Sequence, residues 1–397
     1  MNEEYNFNKI KTMKKNIFAV GLLALSLGFT ACDNEDEKEF PEGTSEVSID
    51  EQDIEVTSAN INTWTQYAVA VANLLAKDAS DLNSAWSEAY KGGEAYAQTF
   101  KSFGGEYKSA SACVQQIVDG CVDIAGEVGT SKIGEPRDLW EHAKYTEAVY
   151  AVESWYSWHS IDDYSNNIQS IRNAFNGTRN NTEATHSLAS FVKAKDAALY
   201  GTVKGRIDAA YNAIKSMAAP FRSHIGNASV TVAQQACADL VEVLEKDLTA
   251  FISNHSDDEL GLIVENYVDQ VVLPTYADLE SKTANLKDAV VALRNNPSSS
   301  TFKHAANLWI DAREPWETSE AFLFGPVADL GLDPNMDSWP LDVDAIEEVM
   351  KSGRIESLIK WEGDYDEEDA KIEAVQNVRG FHTLEFLLFR NGKARTY

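Results

Sequence analysis

An all-α fold, built as two packed four-helix-bundle-like domains with a cleft between them, is predicted by three features of the 397-residue sequence. Apolar residues recur at helical spacing along most of the chain, no sustained alternation of β-branched residues appears, and glycine or proline breaks separate the periodic stretches. Ile61, Trp64, Ala68, Val71 and Leu75 form the first stripe. Leu188, Phe191, Ala194 and Ala198 form another, and Leu279, Leu286, Val290 and Leu293 a third. Gly92-Gly93, Gly104-Gly105, Pro220, Pro274, Asn295-Asn296-Pro297 and Pro334 punctuate them. The division predicted is a first bundle over 56–262 and a second over 263–397.

The N-terminal 31 residues read as a targeting segment. Met13-Lys14-Lys15 precedes an apolar run, Ile17 to Phe29, which is of signal-peptide length and too short for a membrane span. Met13 is the better start, because it places the lysines directly before that run. Phe29-Thr30-Ala31-Cys32 resembles a bacterial lipobox, so Cys32 is the expected lipidation site. The acidic run Asp33 to Glu37 cannot bury itself and makes 32–55 a solvated tether. It resembles the signal that directs some lipoproteins to the outer leaflet. The expected location is therefore the cell envelope, as an outer-membrane, surface-exposed lipoprotein.

The charge balance narrows the partners. With 34 Lys+Arg against 63 Asp+Glu the net charge is −29, which repels nucleic acid and anionic lipid, leaving the acyl chain as the membrane contact. With Cys32 assigned to lipid, three cysteines remain. Cys113 and Cys121 lie eight positions apart in a helical stretch, about 12 Å, beyond disulfide reach.

Three segments carry chemistry. In Gly380-Phe381-His382-Thr383-Leu384-Glu385-Phe386-Leu387, His382 and Glu385 sit at i and i+3 on one helix face amid apolar neighbours. They can bind one cation or simply satisfy each other in a core. In the stretch from Trp309 to Pro326, Arg313 is placed to pair with Glu317, and Glu317 with Glu320 supplies carboxylate oxygens at i, i+3. Pro315 frees the Asp311 carbonyl and bends that helix. An ordinary surface pair between Arg313 and Glu317 is the plainer alternative. In Glu153 to Ile168, Ser157, His159, Asp162 and Asn166 stand among aromatic residues, as in the wall of a ligand cleft or in an aromatic packing seam. Asp364, Asp366, Glu367, Glu368 and Asp369 lack the glycine of an EF-hand loop and read as a solvated acidic loop. No strand is followed by a phosphate-cradling glycine-rich loop.

Together these segments resemble the imelysin family, also called insulin-cleaving membrane protease-like or iron-regulated proteins. Gly380 to Leu387 matches its G-x-H-x-x-E signature and following apolar run. Ala312 to Phe322, Gly325-Pro326 and Trp339-Pro340-Leu341-Asp342 resemble the segment preceding that signature, and Ser154 to Asn176 the motif of the other half. In the usual arrangement the signature half comes first; here it ends the chain, which looks like a circular permutation. The resemblance implies a two-bundle envelope protein linked to iron acquisition. Its site lies between the halves at Gly380, His382, Glu385, Arg313, Glu317 and Glu320, faced by Ser157, His159, Asp162 and Asn166. It would hold iron, another divalent metal or a metal-bearing small ligand, and work with an envelope iron-transport protein. The family also implies a metal-dependent peptidase, although the sequence lacks H-E-x-x-H and supplies no second histidine near the motif. A surface lipoprotein that binds a protein partner without metal is the third expectation.

Overall fold

The computed structural model describes residues 54–361, 365–366 and 368–397. The apolar run, Cys32 and the acidic tether lie outside them, as do Asp364 and Glu367. The described chain is helical almost throughout, and its one sheet is a two-residue antiparallel hairpin, β1 (Phe389–Arg390) with β2 (Lys393–Ala394). None of the described helices is long and apolar enough to cross a membrane.

The first long helix, α1 (Ile61–Ser87), buries the predicted stripe from Ile61 through Leu75 and continues it through Leu82 and Trp86. Two more helices frame the middle of the chain: α2 (Ala110–Glu127), which runs on through a π-helical turn at Val128–Lys132, and α3 (Ser160–Asn176). Next come α4 (Ala197–Lys215), α5 (Ala228–Glu242) and α6 (Asp257–Tyr267). Asn295-Asn296-Pro297 separates α7 (Leu273–Asn295) from α8 (Ser299–Glu317), whose start is closed by a Ser298–Thr301 capping box. Finally, α9 (Leu332–Asp337) and α10 (Gly380–Leu388) complete the set that positions the site.

α7 packs against α1 on one side and α8 on the other, and α10 packs against α1 and α8. The first helix thus lies with helices that follow the expected boundary at 262/263. A second group joins α3 to α4, α4 to α5, and α2 to α3, α5 and α6, while α3 also meets α8. Where α3 meets α8, polar side chains of both are drawn into the interior.

α10 is apolar on nearly every side and all nine of its residues are buried. Hydrogen bonds from buried indoles and a phenol fix it: Trp64 Nε1 donates to the Leu387 carbonyl (2.9 Å), Trp309 Nε1 to the Phe381 carbonyl (2.9 Å), and Tyr67 Oη to the Val378 carbonyl (2.6 Å). A buried ion pair between Arg379 and Asp78 ties the residue before α10 to α1. Gly380 has φ +87°, and a Cβ there would stand 2.5 Å from the Met336 carbonyl oxygen. Only glycine lets α9 approach so closely, and that approach delivers Asp337 to α10.

Candidate functional site

His382 is fully buried and engaged at both ring nitrogens. Nδ1 faces Glu385 Oε2 at 3.0 Å, while Nε2 faces Asp337 Oδ1 at 3.1 Å and Glu153 Oε1 at 3.3 Å. Glu385 is held in turn, its Oε1 accepting from the Ser157 amide (2.8 Å) and hydroxyl (2.7 Å). Trp339 covers the imidazole edge-on, with ring centroids 4.8 Å apart. With carboxylates at both nitrogens and its pKa raised, the ring is held as an imidazolium that donates at Nδ1 to Glu385 and at Nε2 to Asp337 and Glu153; if the Nε2 proton leaves, Glu385 keeps Nδ1–H and the ring stays oriented with Nε2 toward the other two. Glu385, expected as a ligand beside His382, therefore stands behind the ring, and Glu153 and Asp337 stand in front of it.

Arg313 lies at the centre of the same cluster with 1% of its surface exposed. Its guanidinium contacts Glu153 (2.8 Å), Asp163 (3.4 Å), Glu317 (2.5 Å) and Asp337. The i, i+4 pairing with Glu317 predicted from spacing is present, and it is a core pair rather than a surface one. Lys132, brought inward by the π-helical turn, reaches Glu153 Oε2 at 3.0 Å. Asn167 Nδ2 donates to Glu317 Oε2 (2.5 Å), Ser154 Oγ to Asp163 Oδ2 (2.5 Å), and Trp316 Nε1 to Asp337 Oδ2 (2.7 Å). Glu320 sits in the turn after α8, 7% exposed, in a segment pressed so tightly on α2 that a Cβ at Gly120 would meet the Ala321 carbonyl oxygen at 2.1 Å.

The electrostatics follow from crowding anions in a dry interior. Burial pushes the Glu317 and Glu320 carboxyls well above the ordinary range, against the pull of Arg313 on the first and Lys132 on the second, and it raises Asp163 as well. Burial acts in the same direction on Glu153 and Asp337, but neighbouring cations win. Lys132, His382 and Arg313 bring Glu153 down to about 2, and Arg313 with His382 holds Asp337 well below the carboxylate range. Burial and Arg313 oppose a charge on His382, yet Asp337 and Glu153 raise its pKa.

Not every expected residue comes here. His159 and Asp162 pair with each other at 3.3 Å near the surface, with side chains 25% and 53% exposed, and Asp162 is also bound by Lys215 at 2.6 Å. Asn166 is half-buried, and its neighbour Asn167 reaches Glu317 instead. The reason is the phase of α3. Tyr164, Ile168, Ile171 and Phe175 form its buried stripe, which turns Asp163 and Asn167 inward and Asp162 outward. That phase was readable in the sequence. Glu153, Asp337 and Lys132 had no comparable signal, since each is a single charged residue whose approach to the cluster is tertiary.

As donors, the imidazole Nε2 and the carboxylates of Glu153 and Asp337 suit a first-row divalent cation. Their atoms lie within 4.8 Å of one another, and Nε2 stands 3.1 and 3.3 Å from the two oxygens. Ligands at right angles on bonds of about 2.1 Å are about 3 Å apart, so the donor set fits such an ion. Glu317, Glu320 and Asp337 form a second set of the same closeness. An arriving cation has to take Asp337 Oδ1 and Glu153 Oε1 from the Arg313 guanidinium, which keeps those anions together.

Comparison with known proteins agrees with this architecture. The Imelysin family model matches residues 40–246 and 272–397. A crystal structure described as an imelysin peptidase from Bacteroides ovatus is 48% identical, with a TM-score of 0.85 over 86% of this chain and 98% of that one. Iron-regulated protein A of Synechococcus elongatus is 30% identical over 126 residues, 32% of this chain, so the match spans 31% of that relative's length.

Proposed function

Because this chain belongs to the imelysin family, we propose that it is a metal-binding protein of iron acquisition, with the cation held by His382, Glu153 and Asp337. The observation that carries this reading is the buried excess of carboxylates around one oriented imidazole, beside Arg313. A net anionic interior is costly unless protons or cations neutralise it, and a divalent ion does so with N and O donors that suit iron. The iron-regulated name of one relative supports the biological setting. The envelope location, the lipid on Cys32 and an iron-transport partner belong to the same proposal and rest on the N-terminal sequence and the resemblance.

Binding is favoured over peptide hydrolysis by burial. His382, Glu385 and Glu317 are each 0% exposed, whereas a hydrolytic metal needs an open coordination position that substrate can reach. Calorimetric titration of the full chain with Fe2+ under anaerobic conditions tests the proposal. Stoichiometric binding by the wild type, reduced at least about 100-fold in His382→Ala by loss of the imidazole donor, is the expected result. Equal binding by both, or none by the wild type, overturns it. Metal-dependent cleavage of a broad peptide panel would restore the peptidase reading.

A further inference from the structure

The geometry points to a second divalent-cation position made by Glu317, Glu320 and Asp337, with Asp337 shared between it and the His382 position, so that the centre holds two ions. The inference rests on the metal reading above and deepens it.

Three observations support it. First, the two donor sets have one residue in common: Glu153, Asp337 and His382 form one, Glu317, Glu320 and Asp337 the other, each with ligand atoms within 4.8 Å. The Asp337 carboxylate, held at the end of α9 by the close approach over Gly380, is the group common to both sets. Oδ1 faces His382 Nε2 at 3.1 Å and Oδ2 accepts from Trp316 at 2.7 Å.

Second, Glu320 is more than nine-tenths buried and makes no hydrogen bond or ion pair among the described residues, yet its carboxylate is directed into this group. In its ionised form a carboxylate buried this deeply, with no cation closer than the through-space pull of Lys132, costs several kcal/mol. Around it the protein spends close packing, at Gly120 against Ala321 and through Ser170 Oγ on the Ala321 amide (3.1 Å), to hold the turn that carries it in place. A ligand atom kept ready for a cation explains that placement.

Third, with all six carboxylates of the cluster ionised, two divalent ions balance its charge. Glu153, Asp163, Glu317, Glu320, Asp337 and Glu385 are six buried carboxylates, and Arg313 with Lys132 supplies two permanent positive charges. With His382 neutral as a ligand, four negative charges remain. One divalent ion leaves two; a second ion on oxygen donors neutralises them, and the all-carboxylate set suits a hard divalent cation.

The test uses Mn2+ alone as probe on the full chain, with equilibrium dialysis and elemental analysis to count ions and electron paramagnetic resonance to read their coupling. Wild type is expected to bind two equivalents with an exchange-coupled spectrum, and Glu320→Gln one equivalent with the six-line spectrum of an isolated ion. One equivalent in both proteins overturns the second position and leaves the His382 site standing. Two equivalents in both, or two uncoupled ions in the wild type, also overturn the shared centre. No binding by the wild type removes the metal reading and this inference with it. The spectrum of the wild type decides the matter without any variant, so a poorly folded Glu320→Gln does not shelter the proposal.

Discussion

His382 with Glu385 at the start of α10, and His159 with Asp162 at the start of α3, are the same local device, an imidazole and a carboxylate three residues apart on a helical turn. Their separations are alike, 3.0 and 3.3 Å, but the first pair is 0% exposed on both side chains and the second 25% and 53%. In the first, Glu385 is pinned by Ser157 and the free face of the ring meets Glu153 and Asp337. In the second, Asp162 shares itself with Lys215. Spacing makes a pair; the anions gathered around it make a site.

The largest effect is expected where the comparison is broken at its centre. Arg313→Met leaves Glu153, Asp163, Glu317 and Asp337 without the guanidinium they share. It should destabilise the fold by about 3–5 kcal/mol at neutral pH, measured by urea denaturation. A loss under about 1 kcal/mol would mean that the carboxylates are neutralised by something else.

Next in size is Glu385→Gln, which keeps shape and removes the anion behind the ring. Metal affinity should fall about 10–100-fold with little change in the far-ultraviolet circular dichroism, because orienting carboxylates are worth that much to a histidine ligand. Unchanged affinity would place Glu385 outside the site's function.

The smallest effect belongs to the surface pair. Asp162→Asn should change stability by less than about 0.5 kcal/mol and leave Mn2+ binding as in wild type. It also sets the sign of a pH effect. Burial opposes a charge on His159, but the bond to Asp162 and nearby acidic groups raise its pKa, while His159 and Lys215 lower that of Asp162. His159's share of the pair's contribution is fully present below the ordinary imidazole pKa of 6.5 and is lost as pH rises through the raised value, whereas Asp162's share is present above the ordinary carboxylate pKa of 3.8 and is lost as pH falls through its lowered value. An NMR titration of the His159 ring should show its midpoint falling in the variant. A midpoint that stays put would assign the raised value to other charges.

The helical class, the stripes of α1 and α7, the break at Asn295-Asn296-Pro297 and the pairing of Arg313 with Glu317 were legible because each follows from local periodicity or turn chemistry. So were His382 and Glu385, through an H-x-x-E spacing set in an apolar helix. Asp162 and Asn166, expected in the cleft, lie one position from Asp163 and Asn167, which the stripe of Tyr164, Ile168, Ile171 and Phe175 turns toward Arg313 and Glu317. Glu153, Asp337 and Lys132 lay beyond such reasoning. What selects them from among 63 acidic and 34 basic residues is a close approach over one glycine, a tight turn before α3 and a π-helical insertion, and none of these has a periodic signature.

Glu153 and His382 lie 229 residues apart in sequence and 3.3 Å apart in space. A donor set assembled over such a span is a property of the completed tertiary structure, so an unfolded or half-folded chain has almost no share in the affinity. If the proposed ion binds there, thermodynamic linkage converts occupancy into thermal resistance: free ion at 100 times its dissociation constant would add about 2.7 kcal/mol per site to the unfolding free energy. On the proposed function, chelation would withdraw that increment from the whole molecule at once, and the melting temperature would gauge how much ion its surroundings contain.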